Sequence, residues 1–412
     1  MPLQKILFKP GVNKENTRYT TEGGWYEADK VRFRQGNPEV IGGWERISVN
    51  TFLGICRSLW NWVLLDGRNI IGVGTNLKFY LENGGAYYDI TPIRASSTIN
   101  NNPFVATNGS AVITVTDTAH GAFTNDFVTF SGAVGLGGNI TATVLNANYQ
   151  ITVLTANTYT FTATATANAT DASGSPGGGA SVVAAYEISV GPAIQIPLVG
   201  WGAGGWGLGT WGNGLTNALA LRLWSQQNFG EDLVFNPRNG GLYYWEAPLT
   251  ARGVLLNSLG GTVSFTNASP TVVTSTVAYT EGAALQFSGA SLPTGVSAAV
   301  TYFVFEVNGL TFKLLDSAGA AVNTSSSGTG AVSLIVDVPT ILNNLTVSDT
   351  SRFILTFGCN DYNSATLDPM LIRWCGQDDP FNWTPDPTNQ AGFIRISHGS
   401  EIITTVQTRQ EI

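Results

Sequence analysis

Apolar residues along the chain come in short bursts separated by turn-forming residues, the spacing of many brief strands. Residues 55–59, 62–65, 70–73 and 77–81 form four such bursts, punctuated by Asp66-Gly67 and Gly74-Thr75-Asn76, and residues 87–90 offer a fifth. Four strands joined by tight turns make one blade of a β-propeller. A second group follows at residues 219–224, 232–236 and 242–246, with a turn at 237–241. The third comprises residues 352–358, 370–374 and 393–396, and residues 401–407 begin another strand. Upstream, Val31 and Phe33 alternate with Lys30, Arg32 and Arg34, and Gln35-Gly36-Asn37-Pro38 turns the chain before Val40 and Ile41. That pattern predicts a hairpin. The arm before it, residues 10–16, carries few apolar anchors and is expected to be mobile or held by a neighbouring chain.

Two tracts of different texture separate these groups. Residues 100–187 and 256–338 are dominated by Ala, Thr, Ser, Val and Gly and hold almost no Lys or Arg. They also resemble each other. FVTFSGAVGLGG at 127–138 matches LQFSGASLPTG at 285–295, and NYQITVLTANTYTF at 148–161 matches TYFVFEVNGLTFKL at 301–314. A repeat of this kind implies duplicated modules, each a small antiparallel β-sandwich or barrel. Because each tract begins and ends inside a blade-like group, both read as insertions. The expected organisation is an N-terminal arm and hairpin (1–50), a discontinuous propeller-like domain (51–99, 188–255 and 339–412), and two inserted modules (100–187 and 256–338). The fold class is all-β.

Composition supports this picture. Only 12% of the residues are charged, against roughly 25% in an average soluble domain. There are 48 glycines and only 2 methionines, a profile of strands and turns with little helix. Twenty basic residues against 28 acidic ones give a net charge of -8 with no basic stripe, which argues against tight nucleic-acid binding. The 3 cysteines, Cys56, Cys359 and Cys375, make no CxxC pair and no disulfide framework. Pairing residues 352–359 with 370–376 sets Cys359 opposite about Met370 and Cys375 opposite about Ile354, out of reach of each other, so both are expected to be free thiols. The opening MPLQKILFKPG has no long apolar stretch and no cleavage site, and no run of about 18 apolar residues occurs. The expectation is assembly in a reducing cytosol.

Candidate chemistry is sparse. The only imidazoles are His120 and His398, neither in a Ser or Cys nucleophile motif, and both read as surface-turn residues. Asp378 and Asp379 are a candidate cation or acid–base pair, but beside Pro380 they fit turn caps accepting backbone N–H groups. No zinc spacing, EF-hand loop or phosphate-binding loop is present. Catalytic, cofactor-binding and metal-binding residues are therefore assigned to none. Trp201, Trp206 and Trp211 recur every five residues in the glycine-rich stretch 200–214, a period that neither helix nor strand places on one face. They either fill a gap under a blade or form an exposed aromatic surface for a neighbouring subunit or a glycan.

Four phrases together carry a resemblance: GGWYEADKVRFRQGNPEVIGGW at 23–44, LDGRNIIGVGTNLKFYLENGGAYYDITP at 65–92, IRWCGQDDPFNWTP at 372–385 and TNQAGFIRISHGSEI at 388–402. The chain resembles the tail nozzle, or lower tail-tube, proteins of short-tailed bacteriophages over about half its length. The resemblance implies a non-enzymatic virion protein on a β-propeller platform, forming a homohexameric ring in the tail. Such a ring extends the DNA-ejection channel, docks to the head-to-tail adaptor and to fibre or spike proteins, approaches the host envelope, and lets DNA pass without sequence-specific binding. An alternative reading is a carbohydrate-binding or depolymerising β protein, which requires a concave cleft holding tryptophan beside two carboxylates.

Overall fold

The computed structural model describes residues 9–407 apart from 16, 21, 44, 47, 172–173, 190, 192–222, 247–248, 257–259, 278, 280, 299, 335–336, 349, 363 and 388. The chain divides into two compact units, residues 1–49 and 50–412. In the first, β1 (Val31–Arg34) pairs antiparallel with β2 (Asn37–Val40). Gln35 and Gly36 both take positive φ, 49° and 84°, which gives the two-residue turn the twist a hairpin needs. The arm folds back on its own unit: Lys9 N donates to Gly23 O at 2.7 Å and Asn13 N to Trp25 O at 2.9 Å.

Among the described residues, the second unit is all-β save for one helical turn. Its first sheet is a meander of β3 (Cys56–Val63), β4 (Asn69–Thr75), β5 (Phe79–Asn83) and β6 (Ala86–Asp89). The bursts at 55–59 and 62–65 belong to one strand, β3, because Asn61 is not a break. It faces outward between inward-facing Trp60 and Trp62, whose indoles donate to Asn228 and to the Glu231 carbonyl. The burst at 87–90 then supplies the fourth strand.

The first module follows: β7 (Ile93–Thr98), β8 (Phe104–Val105), β9 (Val112–Thr116), β10 (Phe127–Ser131), helix α1 (Ala142–Leu145), β11 (Asn148–Thr155), β12 (Thr158–Thr162) and β13 (Val183–Glu187). Its strand order is β7-β13-β10-β11-β12-β9-β8. β7 hydrogen-bonds to β13, so this sheet starts at Ile93, before residue 100. Phe104 and Gly177 exchange backbone hydrogen bonds of 3.0 and 2.8 Å at the other end of the order. The module closes its own core around Phe104, Phe130, Tyr159 and Phe161.

The middle sheet comprises β14 (Trp224–Phe229), β15 (Asp232–Pro237), β16 (Tyr243–Trp245) and β17 (Val254–Leu255). The second module is a closed barrel of β18 (Gly260–Phe265), β19 (Val272–Ser275), β20 (Ala284–Ser288), β21 (Thr301–Asn308), β22 (Thr311–Leu315) and β23 (Gly328–Leu334), ordered β18-β19-β22-β21-β20-β23. Read from β18 the other way round, this is β18-β23-β20-β21-β22-β19, the circuit that β7-β13-β10-β11-β12-β9 follows in the first module. The matched phrases in the sequence fall on β10 with β20, β11 with β21 and β12 with β22. The modules therefore share a topology as well as a sequence pattern.

A third four-stranded meander completes the chain: β24 (Leu342–Val347), β25 (Ile354–Asn360), β26 (Leu367–Trp374) and β27 (Gly392–Arg395). The three meanders share interiors. Trp62, Ile70, Phe79 and Leu81 of the first sheet pack with Trp224, Leu233, Phe235 and Trp245 of the middle one. Phe229, Val234 and Tyr244 of the middle sheet pack with Leu345, Val347, Ile354 and Leu371 of the third. The first strands β3, β14 and β24 adjoin in that order.

Candidate functional site

The strand that organises the platform is β14, WSQQNF, a mostly polar sequence buried between two sheets. Successive side chains of a strand point to opposite faces, and here each face meets a different neighbour. Toward the first sheet, the Trp224 indole donates to Thr75 O at 2.7 Å, the Gln226 amide donates to Gly72 O at 3.1 Å and Ser58 Oγ at 2.8 Å, and Asn228 Oδ1 accepts from Trp60 Nε1 at 3.0 Å. Toward the third, Ser225 Oγ accepts from Leu345 N at 3.2 Å and Gln227 Oε1 from Val347 N at 2.7 Å. Glycines in β4 make room for it. A Cβ on Gly72 would stand 2.1 Å from Gln226 Oε1, and one on Gly74 2.5 Å from Trp224 Cδ1. Buried backbone groups need partners, and β14 supplies them to both neighbouring sheets at fixed register.

Where the first module meets the platform lies a cluster of charge. Lys78, 4% exposed and just before β5, sets its ammonium 2.5 Å from Asp89 Oδ2 and 3.0 Å from Oε1 of Glu187, whose side chain is 1% exposed. It also donates to Asn148 Oδ1 at 3.0 Å and sits 4.4 Å from the centre of the Phe127 ring. Arg252, after β16, reaches Glu187 Oε1 at 3.0 Å and Thr91 O at 2.7 Å. The cluster thus joins the first sheet, the first module and the middle sheet. Burial pushes the Asp89 carboxyl up, but the Lys78 ammonium, the Thr91 hydrogen bond and Arg252 outweigh it and hold the group below the usual carboxylate range. Burial and Asp89 push Glu187 up, and Lys78 and Arg252 pull it only part of the way back. Glu187 Oε2 is buried without a hydrogen bond.

A second cation serves the passage from the second module into the third sheet. Arg373, on β26, lies with its guanidinium carbon 3.6 Å from the centre of the Tyr362 ring, and it donates to Asn360 O at 3.2 Å and to the main-chain oxygen of Asp337. Burial pushes the Asp337 carboxyl up, with Arg373 pulling against it.

The residues weighed in the sequence fall in separate places. His120 is a turn residue but not a surface one: its ring packs against Tyr159 at 5.0 Å, with Nε2 on Thr155 O and Nδ1 accepting from Ala122 N, both at 3.0 Å. His398 is exposed, its Nδ1 on Ser397 Oγ at 2.8 Å. Asp379 caps its turn by accepting from Phe381 N at 3.0 Å, while Asp378 pairs with Arg352 at 2.7 Å. Cys359 and Cys375 are buried free thiols, and Cys56 is free and half-buried. Cys375 lies opposite Ile354 as its spacing predicts, but Cys359 pairs with Asp368, because Gly358, at φ +55°, opens a bulge. Trp201, Trp206 and Trp211 lie outside the described residues.

No group of three or more His, Cys, Asp or Glu side chains suited to a metal occurs among the described residues. No helix among them is long and apolar enough to cross a membrane. A depression of about 460 Å³ on the barrel is lined by hydroxyls of Thr262, Ser264, Thr274 and Thr329, without a carboxylate or imidazole.

These features define an all-β protein in which a polar strand locks three meanders together and charged side chains pin the first module to them. No family model matches the chain, and no curated protein matches it. Among solved structures it is similar to the phage phi92 endosialidase, at 11% identity over 86% of this chain and 58% of that one, with a TM-score of 0.20. The chain thus spans less than two thirds of that structure's length, and a TM-score this low fixes neither a shared fold nor a shared role.

Proposed function

We propose that this chain is a structural protein of a bacteriophage tail, forming a homohexameric nozzle ring through which DNA leaves the particle. The observation that carries the reading is the interlocking of three sequence-distant meanders through β14. A conduit wall must resist radial strain, and close-packed sheets cross-linked by buried side-chain hydrogen bonds do so. The sequence resemblance to nozzle proteins in four ordered phrases supports the same assignment. On this reading the two modules widen the surface offered to the adaptor, the fibres and the cell envelope, and the net charge of -8 keeps DNA from adhering to the wall.

The test is direct. Mass spectrometry of purified virions should detect the chain, and electron cryomicroscopy should place six copies around the tail axis below the adaptor. Its absence from virions, or a position outside the tail, refutes the proposal.

A further inference from the structure

The first unit has structure without an interior. None of its described residues is buried, and every apolar core among the described residues is built within the second unit. Its sheet is the two-stranded ribbon of β1 and β2. Direct pairing of Val31 with Val40 and of Phe33 with Pro38 puts these four on one face. Trp25 packs on that face at Phe33, with ring centres 6.1 Å apart, but Val40 at the other end is 76% exposed. A lone two-stranded ribbon is marginal in water, since ordering each residue costs about 1–2 kcal/mol that burial must offset. The ribbon needs a further surface over its apolar face.

Charge says what kind of surface that is. The first 49 residues hold eight of the 20 Lys and Arg with six of the 28 Asp and Glu, a net +2, whereas the remaining 363 hold 12 and 22, a net -10. Such asymmetry marks a basic arm with an acidic partner. On the polar side of β1, Arg32 is answered within the ribbon by Glu39 at 3.1 Å, while Lys30 and Arg34, at the two ends of the strand, are exposed. A phosphate backbone answers charge but not an apolar face, whereas an acidic protein surface with an apolar centre answers both.

The second unit offers that combination at the β14–β15 turn. Glu231 and Glu246 are exposed there beside the half-buried Asp232. Burial pushes the Asp232 carboxyl up, the Tyr244 hydroxyl pulls it back, and Glu246 and Glu231 push it up again, so the three lie within one another's field. None of the three is ion-paired among the described residues. Glu231 Oε1 accepts from Leu65 N at 2.7 Å, and Leu65 is 91% exposed.

We propose that the first unit of one copy docks on this surface of a second copy, with Val31 and Val40 against Leu65 and with Lys30 and Arg34 reaching the carboxylates at the rim. Long cationic side chains at the edges of a thin ribbon reach past its apolar face in this way. Each copy carries both halves of the contact, so it runs head to tail and closes into a ring when its rotation matches. The inference rests on the ring reading, which sets a neighbour beside every chain, and it names the element that holds neighbours together.

Carbodiimide coupling, which joins a lysine amine directly to a carboxylate, tests it on the purified full chain assembled from isotope-labelled and unlabelled copies. Peptides joining Lys30 to Glu231 or Glu246 should appear with one label on each side and fade as salt is raised. Lys30→Glu with Arg34→Glu should weaken self-association by about tenfold in sedimentation, and adding Glu246→Lys should recover it. Should the charge variants fail to fold, coupling in the parent protein still decides. Joined peptides that carry only one label throughout, assembled rings without this coupling, or a single-chain mass at every concentration each overturn the inference. Rings without the coupling leave the ring reading standing, and coupling between copies of a chain absent from virions leaves this contact standing without the tail assignment.

Discussion

The indole of Trp224 rests on Gly74, where a Cβ would stand 2.5 Å from the indole Cδ1. The contact joins the first strand of the middle sheet to the second strand of the first sheet, 150 residues away in sequence. Gly74→Val should therefore force Trp224 off its hydrogen bond to Thr75 O, costing about 1–3 kcal/mol as overpacking does. Chemical denaturation of the variant measures this directly. Unchanged stability would mean that the two sheets slide past one another freely.

The amide of Gln227 gives a complementary test on the other face of β14. Gln227→Leu preserves most of the packing volume but removes the Oε1 acceptor that Gln227 offers the Val347 N–H, a loss of about 0.5–1.5 kcal/mol. Hydrogen exchange should speed selectively at Val347. If the amide of Val347 stays as protected as in the parent protein, Gln227 is not its partner in solution.

The meanders and the duplicated modules were legible because their signals are local: apolar bursts between turn formers, and one set of phrases written twice. What the pattern hid was the glue. β14, with two glutamines, a serine and an asparagine in six residues, carries no apolar alternation, and the expected burst at 219–224 ended where the strand begins. β24 was hidden in the same way by Asn343, Asn344 and Thr346. Polar strands look solvated until a sheet is found on each side of them. The charged junction was hidden by distance, since Lys78 and Glu187 lie 109 residues apart and a lone lysine says nothing of its partner. The Cys359 register was missed by the bulge at Gly358, which a count along two regular strands does not foresee.

Thiol reactivity offers a third check. Burial pushes the Cys359 thiol up to about 11 and the Cys375 thiol up to about 12, and burial raises Cys56 as well. The thiolate is the reactive form. A thiol reagent at pH 8 should therefore leave Cys359 and Cys375 unmodified in the native protein and label all three cysteines once it is unfolded. Peptide mapping distinguishes the sites, and native labelling of Cys359 would contradict the closed interior between the middle and third sheets.

The junction at Lys78 supports the sharpest prediction. Lys78→Met removes the cation shared by the buried Glu187 and the half-buried Asp89 and should cost about 3–5 kcal/mol at neutral pH, the usual penalty for stranding a buried charge. The pH dependence then follows from the signs. In the parent protein Asp89 sits below its ordinary value, so its contribution to stability is present at neutral pH and is lost as pH falls through the folded pKa. Glu187 sits above its ordinary value, so its effect runs the other way: stability is greatest below the unfolded pKa and declines as pH rises through the folded one. The two contributions of this junction therefore run in opposite directions across the carboxylate range. Without Lys78, Asp89 loses its nearest positive charge and Glu187 one of the two cations at 3.0 Å, so both titrate upward, leaving Arg252 to face two anions. The variant should then lose stability as pH rises from the acid side, and its deficit against the parent should shrink on acidification. Denaturation curves for both proteins at several pH values decide the matter, and a deficit that stays constant or widens toward acid pH would show that the Lys78 ammonium does not hold the first module in place.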